Sequence, residues 1–250
     1  MQRYFLNEPY KEENPIQIKG DDFHHITRVM RMDVKDFVYV VFADKKSAKA
    51  KIETITSDAV EVTIVQWETV EKELPINVSI ASGLPKGDKL ELIIQKGTEL
   101  GAHRFIPFNA DRSIVKWDEK KAGKKVERWK KIAKEAAEQS HRQYLPEVDI
   151  PISFKQLMIL SKSFDYVLLA YEEESRLGEV QNLVKTLQSI QAQQSLLIIF
   201  GPEGGLSDSE VQECLTNGIV PCGLGPRILR TETAPLYALS AISYQFDLMR

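Results

Sequence analysis

A chain of 250 residues with 43% hydrophobic residues can bury one large core or two modest ones, and no apolar run in it is long and uncharged enough to span a membrane. Its formal net charge of −3 gives no overall attraction to nucleic acid, so any such surface must be a local cluster. The opening MQRYFLNEPY has no apolar h-region or cleavage site, so no export is expected, and two cysteines, Cys214 and Cys222, read as inert buried thiols rather than a disulfide or metal pair.

Residues 1 to about 70 alternate in the manner of short strands: Arg3 to Leu6, Ile16 to Ile18, Phe37 to Phe42, Ala48 to Ile55 and Ala59 to Trp67. Between them, Asp21 to Met30 reads as one short helix with an aspartate cap and an apolar stripe of Phe23, Ile26, Val29 and Met30. Strands at this spacing suggest a small barrel. His24 and His25 are adjacent, so they diverge on a helix and cannot share a metal. Packing is their expected role rather than catalysis. The charged stretch Trp67 to Leu74 reads as a linker, which divides the chain into domains at 1–70 and 75–250.

Beyond it, Ile76 to Ala81 is a strand, and Asp88 caps a helix striped by Leu90, Ile93, Ile94, Gly97 and Leu100. Phe105 to Phe108 returns as a strand. Glu119 to Gln139 carries Val126, Trp129, Ala133, Ala136 and Ser140 at helical spacing, with Lys120, Lys121, Lys124, Lys125, Arg128, Lys130, Lys131 and Lys134 on its outer face. Such a run is usually a solvated face, but it is also the strongest local basic density in the chain. Strands at Tyr166 to Ala170 and Leu196 to Phe200 then alternate with helices near Leu177 to Ile190 and Ser207 to Asn217. That is βαβ logic with a mostly parallel sheet.

Two loops carry the chemistry. The apolar run Leu196 to Phe200 reads as a strand buried on both faces, and it breaks at Gly201 into three glycines and a proline within five residues. Ser207 with Glu210 forms a capping box, so Gly201 to Leu206 joins a strand's C-terminal end to a helix N-terminus, the usual ligand position of an α/β sheet. A second strand, Ile219 to Leu224, runs into a Gly-Pro turn and a helix capped by Thr231 or Thr233. A plain turn does not need Arg227, Arg230 and Glu232. The spacing matches neither the dinucleotide fingerprint nor the P-loop, so nicotinamide and nucleotide-triphosphate readings lack their signatures.

The strings GPEGGLSDSEV (201–211) and LGPRILRTETAPLYALSAI (224–242) resemble the signature loops of the SPOUT-class methyltransferases. Within that class the chain resembles the 16S ribosomal RNA (uracil-N3)-methyltransferases, the RsmE type. The likeness extends to LPKGDKLELIIQKGTELGAHRFIPF (84–108), KEAAEQSHRQYLPEV (134–148) and HHITRVMR (24–31). It implies an S-adenosylmethionine-binding, trefoil-knotted, mostly parallel sheet with helices on both faces, plus a PUA-like, RNA-binding β-barrel at the N-terminus. It implies methylation of N3 of a uridine in the small-subunit ribosomal RNA, in the cytoplasm, by a homodimer joined through the C-terminal helix, with no metal and no membrane. Methylation of another RNA position, or a non-catalytic RNA-binding factor with the same fold, are the alternative readings.

By the same resemblance the cofactor pocket takes Leu169, Ala170, Gly201, Glu203, Gly204, Leu224, Gly225, Ile228, Leu229, Arg230, Thr233 and Ala234. RNA contacts fall at Arg31, Lys86, Arg112, Lys124, Lys125, Lys131, Gln139 and Arg142. Uracil N3 carries an imide proton whose loss places charge on O2 and O4. The site therefore needs a base or an anion-stabilising guanidinium. Arg112, Arg142, Arg227 and Arg230 are candidates for the second role, Glu232 and Glu138 for the first; Arg230, Glu232 and Arg112 are the expected catalytic set. Gly204 is expected to lie too close to backbone and ligand for a β-branched side chain.

Overall fold

The computed structural model describes residues 1–12, 15–115, 119–172 and 181–249, the side chains of 119–122 excepted. The chain divides into two units. The first comprises Met1–Glu73 with Ala137–Leu145, and the second begins at Leu74 and takes the rest.

In the first unit, β1 (Arg3–Phe5), β2 (Ile16–Lys19), β3 (Phe37–Val41), β4 (Ser47–Ile55) and β5 (Ala59–Trp67) form one sheet in the order β1-β3-β4-β5-β2. β1 runs parallel to β3, and the other pairs are antiparallel. Alternation puts Val38, Val40, Ala50, Ile52 and Val60 on one face, all fully buried. Register shifts at Lys49/Ala50 and Ile52/Thr54 in the β4–β5 ladder are bulges, which add twist and curl the sheet around that core.

The short helix α1 (Gly20–His24) starts differently from the expectation. Its N-cap is Lys19, no side chain caps it, and Gly20 at φ +64° makes the entry turn. A π-turn, His25–Val29, continues it and rotates the stripe, so Phe23 and Ile26 are buried while Val29 and Met30 face solvent. The His25 Nδ1 atom lies 3.0 Å from the Tyr4 hydroxyl, which is a packing role. The stretch expected as a linker is also tied down: Glu68 accepts from Arg3 at 2.6 Å, and Glu73 binds Arg142.

The second unit is a parallel α/β sheet. Its strands are β6 (Asn77–Gly83), β7 (Arg104–Asn109), β8 (Glu147–Val148), β9 (Ile152–Ser153), β10 (Tyr166–Ala170), β11 (Ser195–Phe200) and β12 (Val220–Cys222). The order is β12-β10-β11-β6-β7-β8, with β9 also on β7, and every pair is parallel. The helices are α2 (Lys89–Glu99), α3 (Glu119–Gln139), α4 (Phe154–Ser161), α5 (Asn182–Ser189), α6 (Asp208–Thr216) and α7 (Thr233–Ser243), followed by a π-turn at Tyr244–Leu248. The expected start of α5 at Leu177 lies outside the described residues.

Alternation along β11 sorts its side chains between two cores. Leu196, Ile198 and Phe200 join one with Ile93, Leu239 and Ile242, while Leu197 and Ile199 join the other with Ile106, Val211 and Cys214. Each such fully buried aliphatic side chain contributes about 1.5–3 kcal/mol by its removal from water. Both cysteines are buried and free, and burial, followed by the Glu210 charge, pushes the Cys214 thiol up to about 12.

Helix ends explain much of the geometry. Ser207 and Glu210 form the expected capping box, with Glu210 N donating to Ser207 Oγ at 3.3 Å and Ser207 N to Glu210 Oε2 at 2.8 Å. Ser153 and Gln156 form a second box at α4. Asp88 stands at the N-cap of α2 without a side-chain cap bond, and Glu232, rather than Thr231 or Thr233, occupies the N-cap of α7. Gly123 sits inside α3 in open space, where glycine only adds unfolded-chain entropy. Gly123→Ala should therefore stabilise the protein by about 0.5–1 kcal/mol, read as a higher urea midpoint.

Ala238, Leu239 and Ile242 are fully buried within their own unit, where Gly97 of α2 admits Leu239 closely. Ile242 is therefore a core residue and not an exposed interface residue. The apolar side chains left to solvent at this end are Tyr237, Tyr244, Leu248 and Met249.

Candidate active site

Because the sheet is parallel, the C-terminal ends of its strands share one edge, and the loops leaving that edge meet. β10 delivers Leu169 to Glu172, β11 delivers Phe200 to Leu206, and the segment after β12 delivers Leu224 to Ala234. Together with Lys89 and Arg112 they enclose a cavity of about 620 Å³. That volume falls within the roughly 300–1,000 Å³ range of small-molecule sites.

Close backbone approaches hold the walls. The Thr231 hydroxyl donates to Gly201 O at 2.7 Å, joining the two glycine loops. A Cβ on Gly201 would stand 3.0 Å from backbone atoms of Gly205 and Leu206, and one on Gly83 would stand 2.5 Å from Pro202 Cδ. Gly205 turns the loop at φ +68°, its N–H donating to Pro202 O at 2.9 Å. The steric need is thus at Gly201 and Gly83. At Gly204 a Cβ would meet the Arg112 side chain at 3.2 Å and the Arg112 backbone O at an ordinary 3.6 Å, so the backbone is less crowded there than at Gly201 or Gly83.

Of the twelve residues expected to hold the cofactor, Leu169, Ala170, Gly201, Glu203, Gly204, Leu224, Ile228, Leu229, Arg230 and Ala234 line this cavity. Gly225 lies behind it in a turn at φ +90°, and Thr233 opens α7 with its N–H on Arg230 O at 2.8 Å. Ile228 is 69% exposed, so packing into the core does not account for it, and it stands as an apolar wall.

Sequence reading missed Lys89, Tyr171, Glu172, Pro202 and Pro226. Lys89 had no periodic signal pointing inward, yet it links both loops. Its Nζ lies 2.7 Å from Glu203 Oε1 and 3.7 Å from Glu232 Oε2. Burial alone would raise the Glu203 carboxyl, but hydrogen bonds from Lys89 and from backbone N–H groups outweigh it and hold the group below its ordinary value. The hydrogen bond to Glu203 in turn raises Lys89. Glu232 Oε2 is buried without a hydrogen-bond partner, and Lys89 is the cation beside it.

The arginine candidates separate. Arg112, Arg227 and Arg230 line the cavity. Arg112 is carried there because Asp111 N donates to the buried Glu210 of the capping box at 2.9 Å, and its own Nη1 reaches Gly204 O at 3.3 Å. Arg142 does not line the cavity. It is 3% exposed, belongs to the first unit, and is held by Glu73, which also accepts the Gln143 and Tyr144 N–H groups. Glu138 likewise belongs to the first unit and raises the Tyr4 hydroxyl by its charge after burial does so.

Among the expected RNA contacts, Arg31, Lys86, Lys124, Lys131 and Gln139 are exposed and Lys125 is partly so. The basic face of α3 is largely balanced by acids: Lys125 and Arg128 reach Glu91 at 3.7 and 2.7 Å, Lys130 reaches Glu127 at 3.3 Å, and Lys131 reaches Glu135 at 3.9 Å. Lys120 and Lys121 lie outside the described side chains.

The cavity suits a flat, uncharged ring that carries a polar, charged tail. It offers loop backbone groups for the ring edges and Leu169, Leu224, Ile228 and Leu229 for the faces, with no phosphate-cradling nest of N–H groups and a lysine that already binds carboxylate. A parallel α/β sheet with a cavity at its strand ends, in one chain with a small β-sheet unit, is the frame of the RNA methyltransferases built on the SPOUT fold, and comparison with known proteins places the chain in that class. A family model described as an RNA methyltransferase domain matches residues 72–243, and one described as an RNA methyltransferase PUA domain matches residues 18–65. The chain is 54% identical over 253 residues to the ribosomal RNA small subunit methyltransferase E of Bacillus subtilis (strain 168), covering 100% of this chain and 99% of that one. It is 35% identical over 233 residues to the protein of that name from Synechocystis, covering 92% of this chain and 73% of the other. A solved structure of ribosomal RNA small subunit methyltransferase E from Neisseria gonorrhoeae, bound to S-adenosyl methionine, superposes with a TM-score of 0.83 at 26% identity, covering 98% of each chain. The chain belongs to the ribosomal RNA small subunit methyltransferase E family.

Proposed function

We propose that the protein methylates N3 of a uridine in the 16S ribosomal RNA of the small subunit, using S-adenosylmethionine held in the cavity between the two glycine loops. The observation that carries this is the cavity itself, lined by ten of the residues that family resemblance assigns to the cofactor. The bound cofactor supplies an electrophilic methyl group. The loops orient it so that donor and acceptor meet in line. Uracil N3 loses its proton to solvent as the N3–methyl bond forms and the sulfonium–methyl bond breaks. Arg230 and Arg112, both on the cavity, stabilise the charge that appears on O2 and O4. Glu232 serves by holding Lys89, since its inner oxygen is buried beside that ammonium.

The protein acts in the cytoplasm as a homodimer without a metal. The exposed Tyr237, Tyr244, Leu248 and Met249 at the end of the chain support an interface there. The test is titration of S-adenosylmethionine by calorimetry, with mass mapping of small-subunit ribosomal RNA after incubation. Arg230→Gln should lower kcat by about 10²–10³-fold, and raised pH should restore part of the rate because the uracil then ionises unaided. Absence of cofactor binding, or methylation at another atom, would refute the proposal.

A further inference from the structure

We propose that the first unit carries a slot for one unpaired RNA nucleotide, formed by Trp67, Tyr10 and the turn that bears Lys45 and Lys46. The inference rests on the RNA methyltransferase reading above and adds where the strand beside the target is gripped.

The chemistry of the target sets the requirement. N3–H of uracil is its Watson–Crick donor, so a base methylated there is unpaired when it reacts, and the enzyme needs a way to hold unpaired RNA. Single-stranded bases are held by stacking on aromatic rings and by cations on the phosphates. The first unit offers both around one cavity of about 380 Å³, lined by Tyr10, Lys46, Ser47, Trp67 and Glu68.

Trp67 ends β5 opposite Ala48 and keeps 38% of its surface exposed. Its ring meets that of Tyr10 edge-on at 4.8 Å, and both rest on the buried Phe42, at 6.2 and 5.2 Å. The wall is therefore preorganised and loses little freedom on binding. In the floor, Glu68 is already held by Arg3 and Lys72 at 2.6 and 2.8 Å, so its charge is compensated and does not repel a phosphate.

The turn between β3 and β4 supplies the cations. Phe42 N donates to Lys46 O, and Lys45 N to Phe42 O, both at 2.9 Å. Lys45 takes φ +65°, a left-handed conformation that glycine or asparagine would adopt at lower cost. Its ammonium stands 4.9 Å over the Tyr144 ring, and that of Lys46 stands 5.7 Å from the Tyr10 ring. Within this turn Asp44 lies 3.2 Å from Lys46 in an exposed pair of little strength. On α3, by contrast, Arg128 is committed to the well-shielded Glu91. Cations beside rings, around a base-sized recess, favour the turn over α3 as the strand's seat.

The test uses the full chain and fluorescence anisotropy with a short unstructured RNA oligonucleotide, alone and annealed to its complement. Wild type should prefer the single strand. Trp67→Ala should weaken single-strand binding by on the order of tenfold, and Trp67→Phe should retain most of it. The double variant Lys45→Ala/Lys46→Ala should weaken binding and reduce the slope of log affinity against log salt by about 1, as loss of one or two phosphate contacts requires. Cofactor affinity by calorimetry should be unchanged throughout. The slot is overturned if wild type binds duplex as tightly, if folded Trp67→Ala binds like wild type, or if the double variant keeps the full salt slope. Should Trp67→Ala disrupt the first unit, the lysine variant alone decides. Loss of the methyltransferase reading would appear separately, as wild-type protein that binds no S-adenosylmethionine.

Discussion

Gly83→Ala is expected to abolish measurable S-adenosylmethionine binding while leaving most of the fold in place. Gly83 ends β6, where a Cβ would stand 2.5 Å from Pro202 Cδ and 2.8 Å from Pro202 N. Neither atom belongs to a flexible side chain, so the first glycine loop itself must move. Overpacking of this kind costs about 1–3 kcal/mol, and the cost falls on the loop that forms one cavity wall. Displacing that loop also strains the Thr231–Gly201 hydrogen bond that ties the second wall to it. Calorimetric titration together with a urea melt checks this: lost binding with a modest fall in stability is expected, and retained affinity would show that the loop adapts. The substitution is instructive because Gly83 lies outside both signature strings.

Arg142→Ala is expected to destabilise the first unit by about 3–5 kcal/mol, because it leaves the Glu73 carboxylate buried without its cation. The pair is well enclosed, with side-chain exposures of 4% and 12%, and Glu73 also accepts the Gln143 and Tyr144 N–H groups at 2.8 and 3.1 Å. It is what fastens the segment after α3 into the first unit. The double variant Arg142→Met/Glu73→Leu should recover much of the loss, since replacing both charges leaves no orphan. Urea denaturation of the single and double variants measures both effects. A stable Arg142→Ala protein lacking methyl transfer would return Arg142 to the chemistry, where sequence resemblance had put it.

The local grammar of the chain was readable in advance because it depends on near neighbours. The both-face burial of β11 follows from its unbroken apolar run, and the capping box at α6 follows from a serine and a glutamate three residues apart. Two glycine-rich loops after strands marked the cavity, since loops leaving one edge of a parallel sheet converge whatever their distance in sequence. Where local signals were weak the reading slipped. Asp21 and Thr233 looked like caps, but Gly20 at positive φ and Glu232 hold the turns, because backbone conformation and the Thr231 bond to Gly201 took precedence over capping preference.

By itself, the sequence determined the strands and helices, the parallel sheet, the two loops and the residue types a methyl-transfer site requires, all of them properties of short segments. Tertiary structure alone decided which charges line the cavity. Lys89 joins both loops through Glu203 and Glu232, residues 114 positions and more away, and nothing in its neighbourhood in the chain marks it. Arg142 and Glu138, equally plausible as arginine and carboxylate, fall in the first unit, and Ile242 turns into the core of the second. A charge acts through distance and burial, and both are fixed only when segments far apart in the chain are packed together.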